Sequence, residues 1–252
     1  MKIAIKGMIV ANEDKWIYDY FGYDTTSPGE VAEALENAPS EEPITLEISS
    51  PGGDVIAANE IYYAVATHPN RDITADIVGW AASAASYIAL AATKVRILPS
   101  AVFMIHNTSG QARGDYHAMD QESKVLKNFN KAVANIYRLK TGLGESEILS
   151  LMDKESWLTA QDAKDKGFVD EIIGDEGGTL NAAPVIVTNS FGAGLIPKDK
   201  INAFREKLKE APTPQAAHTD PEPTPEPPAE PKPPEDTTNA VATANIKKNL
   251  LF

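Results

Sequence analysis

The sequence predicts an α/β protein in which repeated β-α units build a mostly parallel sheet. Short apolar segments with strand character, such as Lys2–Val10 and Ile44–Ile48, alternate with stretches of helical spacing. A helix-start pattern at Ser27–Glu30, with proline in the first helical position, separates these two strands. A helix that connects two strands of one sheet forms a crossover connection, which makes the strands parallel.

The later elements continue this alternation. We expect a helix after Asp54, a strand over Ile73–Gly79, a helix over Ala81–Ala92, strands over Val95–Leu98 and Val102–Ile105, a helix over Asp115–Lys140, a helix between Thr159 and Gly167, and a strand over Phe168–Ile173. Apolar residues recur every three or four positions along the Asp115–Lys140 helix, from Ala118 to Leu139, so one stripe is expected to face a core or a partner.

Composition divides the chain into three parts. Residues 1–174 carry the alternating elements, residues 175–210 add a strand-like Val185–Val187 and a short helix over Pro197–Glu210, and residues 211–252 form a tail. Ten prolines between Pro212 and Pro234, interleaved with glutamates, remove backbone donors and leave nothing apolar to bury. We therefore expect a disordered, acidic Pro-rich C-terminal tail with a short apolar tip, which is either a docking segment or a frayed terminus.

Overall composition excludes several classes of site and partner. The 252-residue chain has no cysteine, which excludes disulfides, cysteine nucleophiles, thiolate zinc sites and iron–sulfur clusters. A formal net charge of -13 without a cluster of Lys and Arg argues against nucleic-acid binding. Met1–Val10 lacks a signal-peptide pattern, and the longest uncharged run, which begins at Ile77, is too short to span a membrane. We expect a soluble, cytoplasmic protein without a cofactor or metal.

Two strand-to-helix junctions carry residues that point to chemistry. At Gly52 and Gly53, the missing side chains let backbone N–H groups approach a ligand, although most such pairs are simply turns. Ser83 lies in a predicted first helical turn, where unpaired N–H groups and the helix dipole would stabilise an anion beside its hydroxyl. Ser86, one turn later, is the rival candidate, and we expect it to be buried. Alternatively, the small residues around Ser83 only allow close helix packing.

A nucleophilic serine needs a base, and the chain has four histidines. His106 ends the strand over Val102–Ile105, and α/β sheets place their sites at the carboxyl ends of strands. It is therefore the candidate base, with an imidazole bonded to a backbone carbonyl as the alternative. His68 precedes a proline in a loop, His117 begins the long helix, and His218 lies in the tail.

Four motifs occur in an order that resembles one known family. They are Ser50–Asp54, Gly79–Ser86, Met104–Asn107 and Trp157–Ala160, the last followed by Ala163, Gly167 and Asp170. Together they resemble the Clp-type (ClpP-like) serine peptidases over about residues 1–174. Tyr18–Gly22 and Met152–Trp157 resemble most of all the phage head-maturation (prohead protease) branch of that family.

This resemblance implies a ClpP/crotonase-like fold and assigns a role to each site residue. Ser83 matches the nucleophile, His106 the general base, and the backbone N–H groups of Gly53 and Ala84 the oxyanion hole. The family has an aspartate as third catalytic member, two residues before the aromatic residue of the last motif. Glu155 occupies that position here, with Asp153 as the fallback, and a Ser–His dyad is the alternative.

The resemblance also implies an activity and partners. We expect a serine endopeptidase that works through an acyl-enzyme and processes capsid or scaffold proteins during phage head maturation, in the cytoplasm of the host cell. Relatives form rings, so a homo-oligomer is expected, with the long helix packing between subunits. Three alternatives remain open: a degradative Clp-like peptidase with an AAA+ unfoldase, a crotonase-like acyl-CoA enzyme, and an inactive assembly scaffold.

Overall fold

The computed structural model describes residues 1–39, 42–175, 196 and 198–210, without the side chains of residues 198 and 208–210. Their strands are β1 (Lys2–Ile9), β2 (Thr25–Thr26), β3 (Ile44–Gly53), β4 (Ile73–Ala82), β5 (Lys94–Ile97), β6 (Val102–Ile105), β7 (Ser156–Leu158) and β8 (Glu171–Ile172). Their helices are α1 (Asn12–Tyr20), α2 (Pro28–Glu36), α3 (Val55–Ala66), α4 (Ala84–Ala89), α5 (Tyr116–Thr141), α6 (Glu145–Asp153), α7 (Ala160–Asp165) and α8 (Lys198–Glu210).

The strands form one mostly parallel sheet, which confirms the predicted α/β class. Its order is β2-β1-β3-β4-β5-β8, with β6 paired to β4 and β7 paired to β6. The β6–β7 pair is antiparallel and the other strand pairs are parallel. Because β3, β4 and β6 run in the same direction, their carboxyl ends meet at one edge of the sheet. Gly53 is the last residue of β3, and Ser83 and His106 directly follow β4 and β6.

Helices α2, α3 and α4 pack on one another, with α2 against β1 and α4 against β3 and β4. Alternate residues of the central strands are fully buried beneath them, including Ile5, Ile48 and Ile77. The predicted helix start at Ser27 is confirmed as a capping box, because Glu30 accepts a hydrogen bond from the Ser27 backbone N–H at 3.0 Å.

The boundary between β4 and α4 was predicted wrongly. The sequence suggested a strand that ends at Gly79 and a helix over Ala81–Ala92, whereas β4 continues to Ala82 and α4 is a short helix. The reason is pairing at long range: residues 80–82 of β4 pair with residues 102–104 of β6, which keeps the backbone extended up to Ser83. This extension carries the Ser83 turn to the edge of the sheet.

The strand expected over Phe168–Ile173 is also shorter in the structure. The backbone N–H groups of Phe168 and Val169 both donate to the carbonyl of Ala163 and so close helix α7. Only the two residues of β8 then pair with β5. Helices α1 and α6 and strands β2 and β7 are not predicted from the sequence.

The structure confirms the predicted long helix as α5. Its apolar stripe, however, is only partly buried. Val133, Ala134 and Tyr137 are buried, whereas Leu139, the last residue of the predicted stripe, is 84% exposed. Asp115 precedes the helix as its N-cap, with its carboxylate accepting from the N–H of His117 at 3.1 Å.

The chain divides into two units, Met1–Leu195 and Ile196–Phe252. The second unit is described only as Ile196 and α8, which agrees with the short helix expected from the sequence. The strand predicted over Val185–Val187 and the acidic tail lie outside the described residues. Among the described residues, no helix has both the length and the hydropathy needed to cross a membrane.

Candidate active site

Ser83 lies in a strained turn between β4 and α4. Its backbone angles are φ 53° and ψ -124°, a region that costs a non-glycine residue about 1–3 kcal/mol. The turn is fixed on both sides: the Ser83 N–H donates to the Met104 carbonyl at 3.0 Å, and the Ser83 carbonyl accepts from the Ser86 N–H at 3.0 Å. The surrounding structure therefore holds the Ser83 backbone in this turn.

His106 contacts Ser83 directly. The distance between Ser83 Oγ and His106 Nε2 is 2.7 Å, across 23 residues of sequence. Burial of the ring lowers the pKa of His106 below its ordinary value of 6.5, and the charge of Glu155 raises it by a smaller amount. The ring is therefore mainly neutral at pH 7, the form in which Nε2 can accept the Ser83 proton.

The two acidic candidates have different partners. The Glu155 carboxylate accepts from the Trp157 indole N–H at 3.2 Å, and Trp157 is stacked on Trp80 with ring centroids 6.5 Å apart. Asp153 accepts from the Asn107 side-chain amide at 2.8 Å. In the described part of the chain, neither carboxylate forms a hydrogen bond to His106, but Glu155 acts on the pKa of its ring.

Gly52 brings the end of β3 against the Ser83 turn. Gly52 has φ 90°, and a Cβ atom there would lie 2.6 Å from the Ala82 carbonyl oxygen and 2.7 Å from the Ala84 nitrogen. A side chain at position 52 would therefore push the two segments apart. Ala84 is the first residue of α4, so its N–H makes no hydrogen bond within that helix.

The expectation that Ser86 is buried is confirmed. Ser86 has no exposed surface, and its Oγ donates to the Ser83 carbonyl at 2.5 Å and lies 2.7 Å from the hydroxyl of Tyr137. Ser86 is thus closed to a substrate. No local sequence signal indicates the contact between Ser86 and Tyr137, because the two residues are 51 positions apart.

The other described histidines lie outside this cluster. Both ring nitrogens of His68 contact backbone carbonyls, those of Asn70 and Leu35, each at 3.2 Å. His117 is packed on Tyr116 with ring centroids 3.9 Å apart. His218 lies outside the described residues.

A cleft of about 280 Å³ opens beside Ser83 and His106. Helix α5 supplies one wall of apolar side chains, and the Gly53 segment and the loop after β6 supply the others. The apolar lining residues include Val55, Ile56, Val125, Leu126, Phe129 and Val133, and the acidic ones are Asp54 and Glu122. Among the described residues, no group of three or more His, Asp or Glu side chains is arranged to hold a metal ion.

Substitution of Gly52 tests whether the close approach of β3 supports the reactivity of Ser83. We expect the added Cβ of Gly52→Ala to displace the Ala84 N–H, which is an expected oxyanion donor. Labelling of Ser83 by a fluorophosphonate should then fall by roughly 10² or more, the typical effect of losing such a donor. Gly22→Ala is the matched control, because Gly22 also has a positive φ of 75° but its added Cβ would meet nothing within 4 Å. Equal labelling of the two variants would contradict this interpretation.

Comparisons with known proteins agree with this architecture. The family model for Clp protease matches residues 31–176. The ATP-dependent Clp protease proteolytic subunit of Oltmannsiellopsis viridis is 33% identical over 129 residues, which cover 50% of this chain and 66% of that relative. A ClpP1 variant from Listeria monocytogenes superposes with a TM-score of 0.56 at 26% identity, over 70% of this chain and 93% of that one. With more than half of its length matched, the chain belongs to the Clp protease family.

Proposed function

We propose that the protein is a serine endopeptidase that hydrolyses peptide bonds through an acyl-enzyme. The observation that carries this proposal is the 2.7 Å contact between Ser83 Oγ and a partly buried His106 ring with a lowered pKa. A neutral imidazole beside a serine hydroxyl is the arrangement that activates serine as a nucleophile. A crotonase-like acyl-CoA enzyme and an inactive scaffold would have no need of this pair.

In the proposed reaction, His106 Nε2 takes the Ser83 proton while Oγ attacks the carbonyl carbon of a peptide bond. The N–H groups of Gly53 and Ala84 donate hydrogen bonds to the oxyanion that forms. The imidazolium then returns the proton to the leaving amine, and water hydrolyses the acyl-enzyme with the same ring as base.

We assign Glu155 as the third catalytic member. A carboxylate in this role stabilises the imidazolium that forms during proton transfer, and Glu155 is the carboxylate that raises the pKa of His106. Asp153 remains the fallback, but its carboxylate oxygen Oδ1 already accepts a hydrogen bond from Asn107.

The cleft supports a polypeptide substrate. It passes Ser83 and His106 and continues along α5, where the lining is apolar. Apolar walls with a few polar groups bind a chain by burial of side chains.

For the biological substrate, we propose capsid or scaffold proteins in phage head maturation. The support is the resemblance of Tyr18–Gly22 and Met152–Trp157 to the prohead protease branch. A degradative function with an AAA+ unfoldase is the second candidate, because the matched Oltmannsiellopsis relative is named as an ATP-dependent proteolytic subunit.

We further propose that the active form is a homo-oligomeric ring, with α5 between subunits. Large apolar side chains are exposed on the single chain, a surface that association would bury. They include Tyr116, Met119 and Leu139 of α5, and Ile56 and Tyr63 of α3.

Removal of the proposed nucleophile is the first test. We expect Ser83→Ala to abolish both fluorophosphonate labelling and cleavage of a denatured protein, because no acyl-enzyme can form. Ser109→Ala, which changes a serine in the lining of the same cleft, is the control and should retain labelling. Cleavage by Ser83→Ala at the wild-type rate would exclude this mechanism.

The pH dependence tests the assignment of Glu155. The rate should rise with pH as His106 loses its proton and should level off by neutral pH, because burial lowers the pKa of this ring. The Glu155 charge raises that pKa, so Glu155→Gln should move the midpoint of the rise to lower pH. The plateau rate should also fall, by less than the ~10⁴-fold effect of a triad carboxylate that directly orients its histidine.

Asp153→Asn is the matched control for the pH experiment. Its carboxylate is bonded to Asn107, so we expect the midpoint to stay where it is in the wild type. A shift with Asp153→Asn and none with Glu155→Gln would transfer the role to Asp153. No shift with either variant would favour a Ser–His dyad.

The products separate the two candidate biological functions. With a capsid or scaffold precursor as substrate, head maturation predicts a few defined fragments without ATP, which mass spectrometry identifies. A degradative peptidase would leave a folded precursor intact until an AAA+ unfoldase and ATP are added, and would then yield short peptides. Ser83→Ala serves as the inactive control in both reactions.

A further inference from the structure

A buried pair of hydroxyl groups joins helix α5 to the turn that carries Ser83. The Tyr137 hydroxyl lies 2.7 Å from Ser86 Oγ, which donates to the Ser83 carbonyl at 2.5 Å. Ser86 is 0% exposed and Tyr137 is 1% exposed. Because both side chains are closed to solvent, their hydrogen bonds have no competition from water.

The direction of this hydrogen-bond chain follows from proton counting. A serine hydroxyl has a single proton, and that of Ser86 is given to the Ser83 carbonyl. Tyr137 must therefore be the donor to Ser86 Oγ. Burial raises the pKa of Tyr137, against a smaller lowering by the Ser86 hydrogen bond, so the phenol keeps its proton at neutral pH.

The Ser83 carbonyl, which accepts the last hydrogen bond of this series, belongs to the same peptide unit as the Ala84 N–H. This peptide bond is trans, since the described backbone contains no cis bond. In a planar trans peptide unit the C=O and the N–H point in opposite directions. Any contact that fixes the direction of the Ser83 carbonyl therefore also fixes the direction of the Ala84 N–H.

We propose that Ser86 and Tyr137 are positioning residues that aim the Ala84 N–H at the oxyanion. The inference rests on the proposed function, in which this N–H is an oxyanion donor. The peptide unit needs such support because Ser83 holds a positive φ of 53°, a conformation that relaxes unless its surroundings hold it. Tyr137 belongs to α5, so this helix bears directly on the reactivity of Ser83.

Three variants separate positioning from a purely structural role. Ser86→Ala removes the hydroxyl donor to the Ser83 carbonyl and leaves the buried Tyr137 hydroxyl without its partner, so both turnover and stability should fall. Tyr137→Phe leaves the Ser86 donor in place and should have the smaller effect on turnover. The double variant removes both hydroxyls, so stability should recover relative to Ser86→Ala, because no orphaned buried hydroxyl remains.

The decisive readout is turnover of the double variant on a small activated ester. We expect kcat to stay about 10-fold below wild type, part of the ~10²–10³ that loss of an oxyanion donor costs. KM and the pH midpoint should not change, because phenylalanine keeps the ring with which Tyr137 lines the cleft and His106 is untouched. If kcat recovers together with the melting temperature, or if Ser86→Ala keeps wild-type kcat, the proposal is wrong.

Two control variants measure the effect of losing a buried hydroxyl elsewhere. Tyr18→Phe changes a buried tyrosine of α1, and Thr26→Val removes a buried hydroxyl that donates to the Lys6 carbonyl at 2.8 Å. Both should change stability without a change in kcat. A loss of kcat in these controls as large as in Ser86→Ala would overturn the proposal.

The same set of proteins distinguishes failure of this inference from failure of the proposed function. If the wild type neither hydrolyses the ester nor is labelled at Ser83, the proposed function fails. Amide hydrogen exchange of the segment that contains Ala84 then still tests the contact itself. Faster exchange in Ser86→Ala than in wild type supports the positioning of this peptide unit, and equal exchange contradicts it.

Discussion

The strained turn at Ser83 is the constraint on which the rest of the site depends. Ser83 has a positive φ and directly follows β4, and the N–H of the next residue begins helix α4. Three neighbours hold this turn: β6 through Met104, Gly52 by close approach, and Ser86 through the Ser83 carbonyl. Each comes from a different element, so the site forms only when the sheet and its helices are assembled.

The sheet topology explains why His106 reaches Ser83. Strand β4 pairs with β5 along its first half and with β6 along its last three residues. This change of neighbour brings the end of β6 beside the end of β4, and His106 is the first residue after β6. The pairing of β4 with β6, which makes α4 begin later than predicted, therefore also places the proposed base His106 beside Ser83.

Much of this arrangement could be predicted from the sequence because its signals are local. The helix start at Ser27, the glycines at 52 and 53 and the strand end before His106 each show in a few neighbouring residues. The end of β4 could not be predicted, because the extended conformation of its last residues depends on pairing with β6, which lies about 20 residues later in the sequence. The Ser86–Tyr137 contact spans 51 residues and joins two ordinary helix positions, so it has no local signal.

Glu155 is the residue at which this sequence departs from the catalytic pattern of the family. A glutamate in place of the family's aspartate, with φ 49°, acts on the His106 ring through its charge while it is bonded to Trp157. Stacking of Trp157 on Trp80, at the end of β4, connects this carboxylate to the same strand that carries Ser83. The proposed acid, base and nucleophile are thus held by a single group of neighbouring strands.

A structure of the protein with a fluorophosphonate bound would test the central claim most directly. The account predicts phosphorus bonded to Ser83 Oγ, its oxygen about 2.7–3.1 Å from the N–H groups of both Gly53 and Ala84, and His106 beside the leaving-group position. An adduct on another residue, or a phosphoryl oxygen that points away from these two N–H groups, would contradict it.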